Sequence, residues 1–202
     1  MDSTFYSKHL RSWKISWGLL FFYLGKLQCI YLFESNKIYL SYLSMNEEQN
    51  ELREFIRKLP KTELHLHIEG TLEPELSLKL AQRNKIDIPQ KTIEEIKALY
   101  KFTCLQDFLI VYYQACSVLI TEEDFFELGW EYFLKAKADG VVHSEIFFDP
   151  QTHTQRGIPF ETVINGLVRA QKKAEEELGL TSYLIMCFLR DLSEEEAFKT
   201  LD

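Results

Sequence analysis

Two histidines separated by one residue, in Leu64-His65-Leu66-His67, are the side chains of this 202-residue sequence best suited by type and spacing to do chemistry. In a strand, residues two apart leave the same face. His65 and His67 would then stand side by side, while Leu64, Leu66 and Ile68 point the other way toward covering helices. Neutral imidazole suits a borderline cation such as Zn²⁺, and two imidazoles on one wall make a two-pronged grip. Gly70 lets the backbone turn tightly beside such an ion. The spacing alone also fits two histidines set in a half-buried strand. His153 is a further candidate: it follows a second apolar strand and could order a loop or face a substrate. His143, near the start of that strand, reads as a packing residue.

The elements that must hold these residues follow from periodicity and punctuation. Glu51 to Lys58 reads as a short helix stopped by Pro60. Thr62 to His67 alternates apolar and polar, the period of a strand. Thr71 can cap a helix starting near Pro74 and running to about Asn84. Further helical stretches lie near 92–101, 105–119 and 122–139, the last closed by Gly140. Val141 to Phe148 is β-branched and aromatic, a second strand. Phe160 to Leu178 is an amphipathic helix ended by Gly179, Thr181 to Leu189 a third strand, and Ser193 caps a helix with an acidic first turn. Strand and helix alternate, which favours parallel β/α architecture. In a closed barrel of that kind, sites form at the C-terminal ends of strands, where His65, His67 and His153 fall.

These residues carry a resemblance. The segment Leu59-Pro60-Lys61-Thr62-Glu63-Leu64-His65-Leu66-His67-Ile68-Glu69-Gly70-Thr71-Leu72-Glu73-Pro74-Glu75 resembles the opening of the adenosine and AMP deaminase family, metal-dependent amidohydrolases. A narrower stretch, Glu145-Ile146-Phe147-Phe148-Asp149-Pro150-Gln151-Thr152-His153-Thr154-Gln155-Arg156-Gly157, is similar to its adenine deaminase branch. The likeness covers 50–202 and none of 1–44. It implies about three of the eight strands of a TIM (β/α)8 barrel, with extra helices after the first strand. It also implies a zinc enzyme of purine salvage, hydrolysing adenine to hypoxanthine and ammonia. By resemblance, His65 and His67 bind one Zn²⁺, together with a third His and an Asp from later strands. A Glu after that third His handles the protons, and Glu69, Gly70 and His153 fall on the substrate side. Adenosine deaminases generally carry Asp where this chain has Glu69, so the longer acid is expected to take space that a ribose would need. The later His-x-x-Glu and Asp-Asp segments have no counterpart up to Asp202, so the expectation is an N-terminal part that is inactive alone. Adenosine deamination, or a shortened noncatalytic binding protein, are the competing readings.

Composition bounds the rest. With 46% hydrophobic residues and 28 aromatics, the chain can build a core and is not a disordered polymer. Its net charge of −8 argues against nucleic acid as a main partner, and the resemblance implies a small-molecule one. Cys29, Cys104, Cys116 and Cys187 form no Cys-x-x-Cys pair, which suits buried thiols in a reducing cytosol, or a nucleus if the cell has one. The average conceals a boundary: residues 1–44 carry five basic and two acidic groups, against 18 and 29 in 45–202. Residues 1–44 therefore read as a non-homologous extension and 45–202 as the enzyme part. Ile15 to Gly25 is an uncharged apolar run of 11 behind Lys8, Arg11 and Lys14, too short to span a bilayer. An upstream artefact with Met45 as the natural start is favoured over a weak anchor within residues 15–33 or a genuine extra element.

Overall fold

The computed structural model of the protein describes residues 47–201, so the expectations for 1–44 lie outside the described residues. The chain divides into two units between Leu59 and Pro60. In the first, α1 (Glu47–Lys58) ends on Arg57 and Lys58, which complement the negative end of the helix dipole. The Leu59 N–H bonds back to Phe55 O at 3.1 Å, and Pro60 forbids continuation.

The second unit runs β1 (Lys61–His67), a single 3₁₀ turn (Ile68–Thr71), α2 (Pro74–Asn84), α3 (Ile93–Ala98), α4 (Leu105–Cys116), α5 (Glu122–Ala138), β2 (Val141–Phe148), α6 (Pro150–Thr154), α7 (Phe160–Leu178), β3 (Thr181–Met186) and α8 (Glu194–Leu201). Its sheet has the order β1-β2-β3, and both pairings are parallel. The expected alternation of strand and helix is thus present, as an α/β fragment of barrel type. Phe125, Leu128 and Phe133 of α5 meet Val163, Leu167 and Ala170 of α7 over Ile146 and Phe148 of β2. Burying side chains of this size contributes about 1.5–3 kcal/mol each, which is what fixes α5 and α7 against one face of the sheet.

The start of α5 is locally over-determined. Thr121 accepts the Asp124 N–H, and the Asp124 carboxylate accepts the N–H groups of Ile120 and Thr121, a capping box. Asp124 is 0% exposed and also pairs with Arg83 and with Asn84 Nδ2, which ties α5 to α2. At its other end Gly140 takes φ 79°, a conformation glycine adopts without steric cost. Its carbonyl then accepts Lys61 N–H at 3.0 Å and starts the β1–β2 ladder.

Several local expectations are corrected. Thr71 does not cap α2: its hydroxyl donates to Ile68 O at 2.7 Å inside the 3₁₀ turn, and Glu73 holds the N-cap position. The third strand stops at Met186, three residues early. The stretch near 92–101 shortens to α3, capped by Thr92. Cys104 is exposed at the start of α4, whereas Cys116 is buried.

Most consequential is β1. Its register against β2 shifts between Glu63 and Leu66, placing three steps on β1 opposite two on β2. The extra residue changes the parity of the strand. Glu63 accordingly reaches the helix-covered side, where it shares the Tyr132 hydroxyl with Ser144 at 2.7 Å each. Leu66 lies on that side too and is buried, but Leu64 is thrown out of the core at 55% exposure. Strict alternation mis-assigns Leu64 for this reason, while His65 and His67 keep a common face.

Candidate metal centre

The two imidazoles arrive together because β1 ends there. Their ring centroids are 5.9 Å apart, and the ring of Phe147, the register partner of His67 on β2, stacks on both at 4.5 and 5.5 Å. A flat aromatic stacked against both histidines restricts their tilt without offering them a competing ligand. The expected pairing of His65 and His67 on one wall is therefore realised in space.

The next strand supplies the partner. Asp149 follows β2 and precedes α6, where Pro150 occupies the first helical turn. His67 Nδ1 lies 3.2 and 3.4 Å from the two Asp149 carboxylate oxygens. The Tyr112 hydroxyl, from α4, donates to Asp149 Oδ2 at 2.8 Å. Burial tends to raise the Asp149 carboxyl, but the hydrogen bonds from His67 and Tyr112 outweigh it and hold the group below its ordinary range. The Asp149 hydrogen bond in turn raises His67 above its ordinary value, burial notwithstanding. Burial also pushes the Tyr112 phenol well up, so it remains a neutral donor.

Beneath this pair lies a second polar layer. Glu69, in the 3₁₀ turn, is 2% exposed, and His153, in α6, is 0% exposed. Glu69 Oε1 accepts the Asp149 N–H at 2.9 Å and faces His153 Nε2 at 3.2 Å. Arg156 Nη2 sits 3.0 Å from His153 Nδ1, and a guanidinium can only donate. His153 Nδ1 is therefore the acceptor, the imidazole proton resides on Nε2, and it points at Glu69. Arg156 also donates to the carbonyls of Ser117 and Leu119 at 3.2 and 2.9 Å, which pins the α4–α5 connection to the same layer.

The sequence-predicted residues thus separate. His65 and His67 share a wall, Gly70 follows in the 3₁₀ turn, and the side chains of Glu69 and His153 are turned into the protein toward each other. His143 lies at the opposite end of the sheet, where its Nδ1 and Thr181 Oγ1 are 2.8 Å apart. Sequence reasoning missed Asp149 and Tyr112, and it read Cys187 only as a buried thiol. The placement of Asp149 at the C-terminal end of a strand was the available signal. Cys187 is half-buried after β3, and its sulfur, His67 and Asp149 offer ligand atoms all within 4.8 Å of one another. Burial first, then the Asp149 and Glu69 charges, push its thiol up to about 11, so it is protonated near neutrality.

The donor chemistry fits zinc. A Zn–N bond of about 2.0–2.1 Å puts the ion roughly 3.2 Å from each ring centre, so imidazoles 5.9 Å apart lie within the span of one ion. The carboxylate on His67 Nδ1 leaves Nε2 as the nitrogen for the metal, a common arrangement around zinc.

Comparison with known proteins now decides the family. The family model described as Adenosine deaminase matches residues 60–202. The chain belongs to the adenosine deaminase family. An adenine deaminase of Acinetobacter baylyi is 64% identical over 149 residues, which cover 74% of this chain and 45% of that protein. An adenine deaminase of Wolinella succinogenes is 60% identical over 150 residues, with the same two shares. The chain thus spans a little under half the length of the curated relatives it matches. Among solved structures, adenine deaminase from Arthrobacter aurescens superposes with a TM-score of 0.69 at 50% identity, covering 71% of this chain and 44% of that one. An amidohydrolase from Burkholderia ambifaria with bound Zn superposes with a TM-score of 0.66 at 26% identity, over 74% and 41%. This deaminase-family chain therefore carries the amidohydrolase α/β fold over the three strands of the described residues.

Proposed function

We propose that the complete protein is a zinc-dependent aminohydrolase converting adenine to hypoxanthine and ammonia in purine salvage. The observation that carries this reading is the paired imidazoles at the end of β1, in a chain 64% identical over 149 residues to a named adenine deaminase. His65 and His67 hold one zinc, which when bound supplies Lewis-acid activation of water for attack at the purine C6. Gly70 leaves room beside it for the ring. Glu69 and His153 bear on the substrate by fixing the wall of the site, since their side chains have almost no surface of their own. The acid–base carboxyl and the remaining ligands belong to later strands of the complete enzyme, and the 202-residue chain is inactive by itself.

The partner is a small molecule, and we place the enzyme in the cytosol. Among the described residues Cys104, Cys116 and Cys187 are free thiols, and no helix is long and apolar enough to cross a membrane. Residues 1–44 are proposed to be dispensable; a protein beginning at Met45 should match the longer one in urea midpoint, and loss of folding would refute this. Adenosine is the competing substrate, because the matching family model is described as Adenosine deaminase. Ammonia release from adenine and adenosine at matched concentrations separates the two, and comparable rates would sink the adenine assignment. His65→Ala and His67→Ala should each empty the site of zinc by elemental analysis, and full occupancy in either would remove the metal assignment.

A further inference from the structure

The Tyr112–Asp149–His67 chain is more than local packing. A histidine that binds metal through Nε2 must keep its proton on Nδ1, and something must hold that tautomer and the ring's rotation. Here, among the described residues, Asp149 is the group that faces His67 Nδ1, through both carboxylate oxygens at 3.2 and 3.4 Å. Asp149 is itself constrained from three directions. Tyr112 donates to its Oδ2 at 2.8 Å, its own N–H is held by Glu69 at 2.9 Å, and it is almost wholly buried. Glu69 is fixed by His153, and His153 by Arg156, so the carboxylate has no freedom to follow a wandering ring.

We infer that Asp149 is the positioning residue of the metal centre: pinned by Tyr112, it holds His67 in the Nδ1–H tautomer with Nε2 directed at the ion. Three places in the fold converge on this function, β1 with the ligand, the β2–α6 junction with the carboxylate and α4 with the phenol. The inference rests on the zinc reading above, but its failure is separable from the failure of that reading. Carboxylates placed behind a ligating histidine typically contribute 10–100-fold to metal affinity.

Zinc dissociation constants of the 202-residue protein, measured by chelator competition at a fixed neutral pH, test it. Asp149→Ala should weaken zinc binding by about 10–100-fold, with Asp149→Asn used in its place if the alanine variant does not fold. Tyr112→Phe should weaken binding less, and in the Asp149→Ala background it should add nothing, because the phenol reaches His67 through its 2.8 Å bond to Asp149, while its longer 3.4 Å contact with Glu69 Oε2 does not touch the ring. A purely structural phenol would cost the same in both backgrounds, and that result overturns the inference. Cys187→Ser should leave zinc affinity unchanged. A loss as large as that of Asp149→Ala would mean that Asp149 and Cys187 grip the ion themselves, which also overturns it. In the zinc-loaded protein, ¹⁵N chemical shifts should find the remaining His67 proton on Nδ1; a proton on Nε2 is fatal to the proposal. Retention of zinc by both His65→Ala and His67→Ala would instead defeat the zinc reading itself.

Discussion

Glu69→Asp is the smallest change that probes the buried layer under the metal centre. It removes one methylene and so retracts the carboxylate by about 1.5 Å at most. In the native protein Glu69 Oε1 serves the Asp149 N–H at 2.9 Å and His153 Nε2–H at 3.2 Å. Retraction by that distance carries both beyond the roughly 3.2 Å that such bonds tolerate. The space is closed to bulk water, since Glu69 is 2% and His153 0% exposed. Each donor left unsatisfied in such a place costs about 1–3 kcal/mol. Two donors give an expected loss of about 2–6 kcal/mol, a large share of the roughly 5–15 kcal/mol that stabilises a domain. Urea unfolding followed by circular dichroism should show a lower midpoint with an unchanged slope. A loss below about 0.5 kcal/mol would refute the reasoning, by showing that the backbone closes around the shorter acid. Full stability combined with new activity on adenosine in the complete enzyme would instead revive the view that Glu69 simply fills ribose space.

Other expectations follow from the packing beside the site. A Cβ on Gly166 would lie 2.7 Å from Phe125 Cβ and 2.9 Å from the Phe126 nitrogen, neither of which can rotate away. Gly166→Ala should therefore cost about 2 kcal/mol net of its better helix propensity, read as a lower thermal midpoint; an unchanged midpoint would contradict the close α5–α7 approach. Burial pushes Asp124 up, but the N–H groups of Thr121 and Ile120 and the Arg83 guanidinium outweigh it, and the net displacement is downward. Its stabilisation is thus fully present above the unfolded carboxyl value of about 3.9 and fades as pH falls through the lower folded value. Asp124→Asn should cost about 2 kcal/mol at neutral pH and flatten the stability curve below about pH 4; equal acid sensitivity of the two proteins would count against it.

The strand–helix order was legible from periodicity because α5, α7, β2 and β3 are each marked by apolar pattern and terminal residues. Thr121 and Asp124 announce the start of α5, and Gly140 and Gly179 close α5 and α7. The shared face of His65 and His67 was legible too. The β1 bulge was not, since nothing in Glu63-Leu64-His65 marks an inserted residue and the irregularity arises only in pairing with β2. Asp149, Tyr112 and Arg156 were harder to read for a related reason: beyond the strand-end position of Asp149, each gains its role through partners tens of residues away, His67, Asp149 and the Ser117 and Leu119 carbonyls. Thr71 illustrates the converse, a good capping residue drawn off by the nearer carbonyl of Ile68.

The parallel pairing of β1 with β2 has a consequence in time. The Asp149–Glu69 bond that fastens the two strand ends spans 80 residues, with α2 through α5 intervening. Closing so long a loop is entropically slow, and contacts of high sequence separation form late in folding. At about 5–20 residues per second, the ribosome releases the histidine-bearing strand roughly 4–16 s before its partner exists. The segment 141–186 is a strand–helix–strand unit of short range that can assemble first and then offer β2 as the template. The histidine-bearing strand is thus the first of the three strands to be synthesised and among the last to be seated.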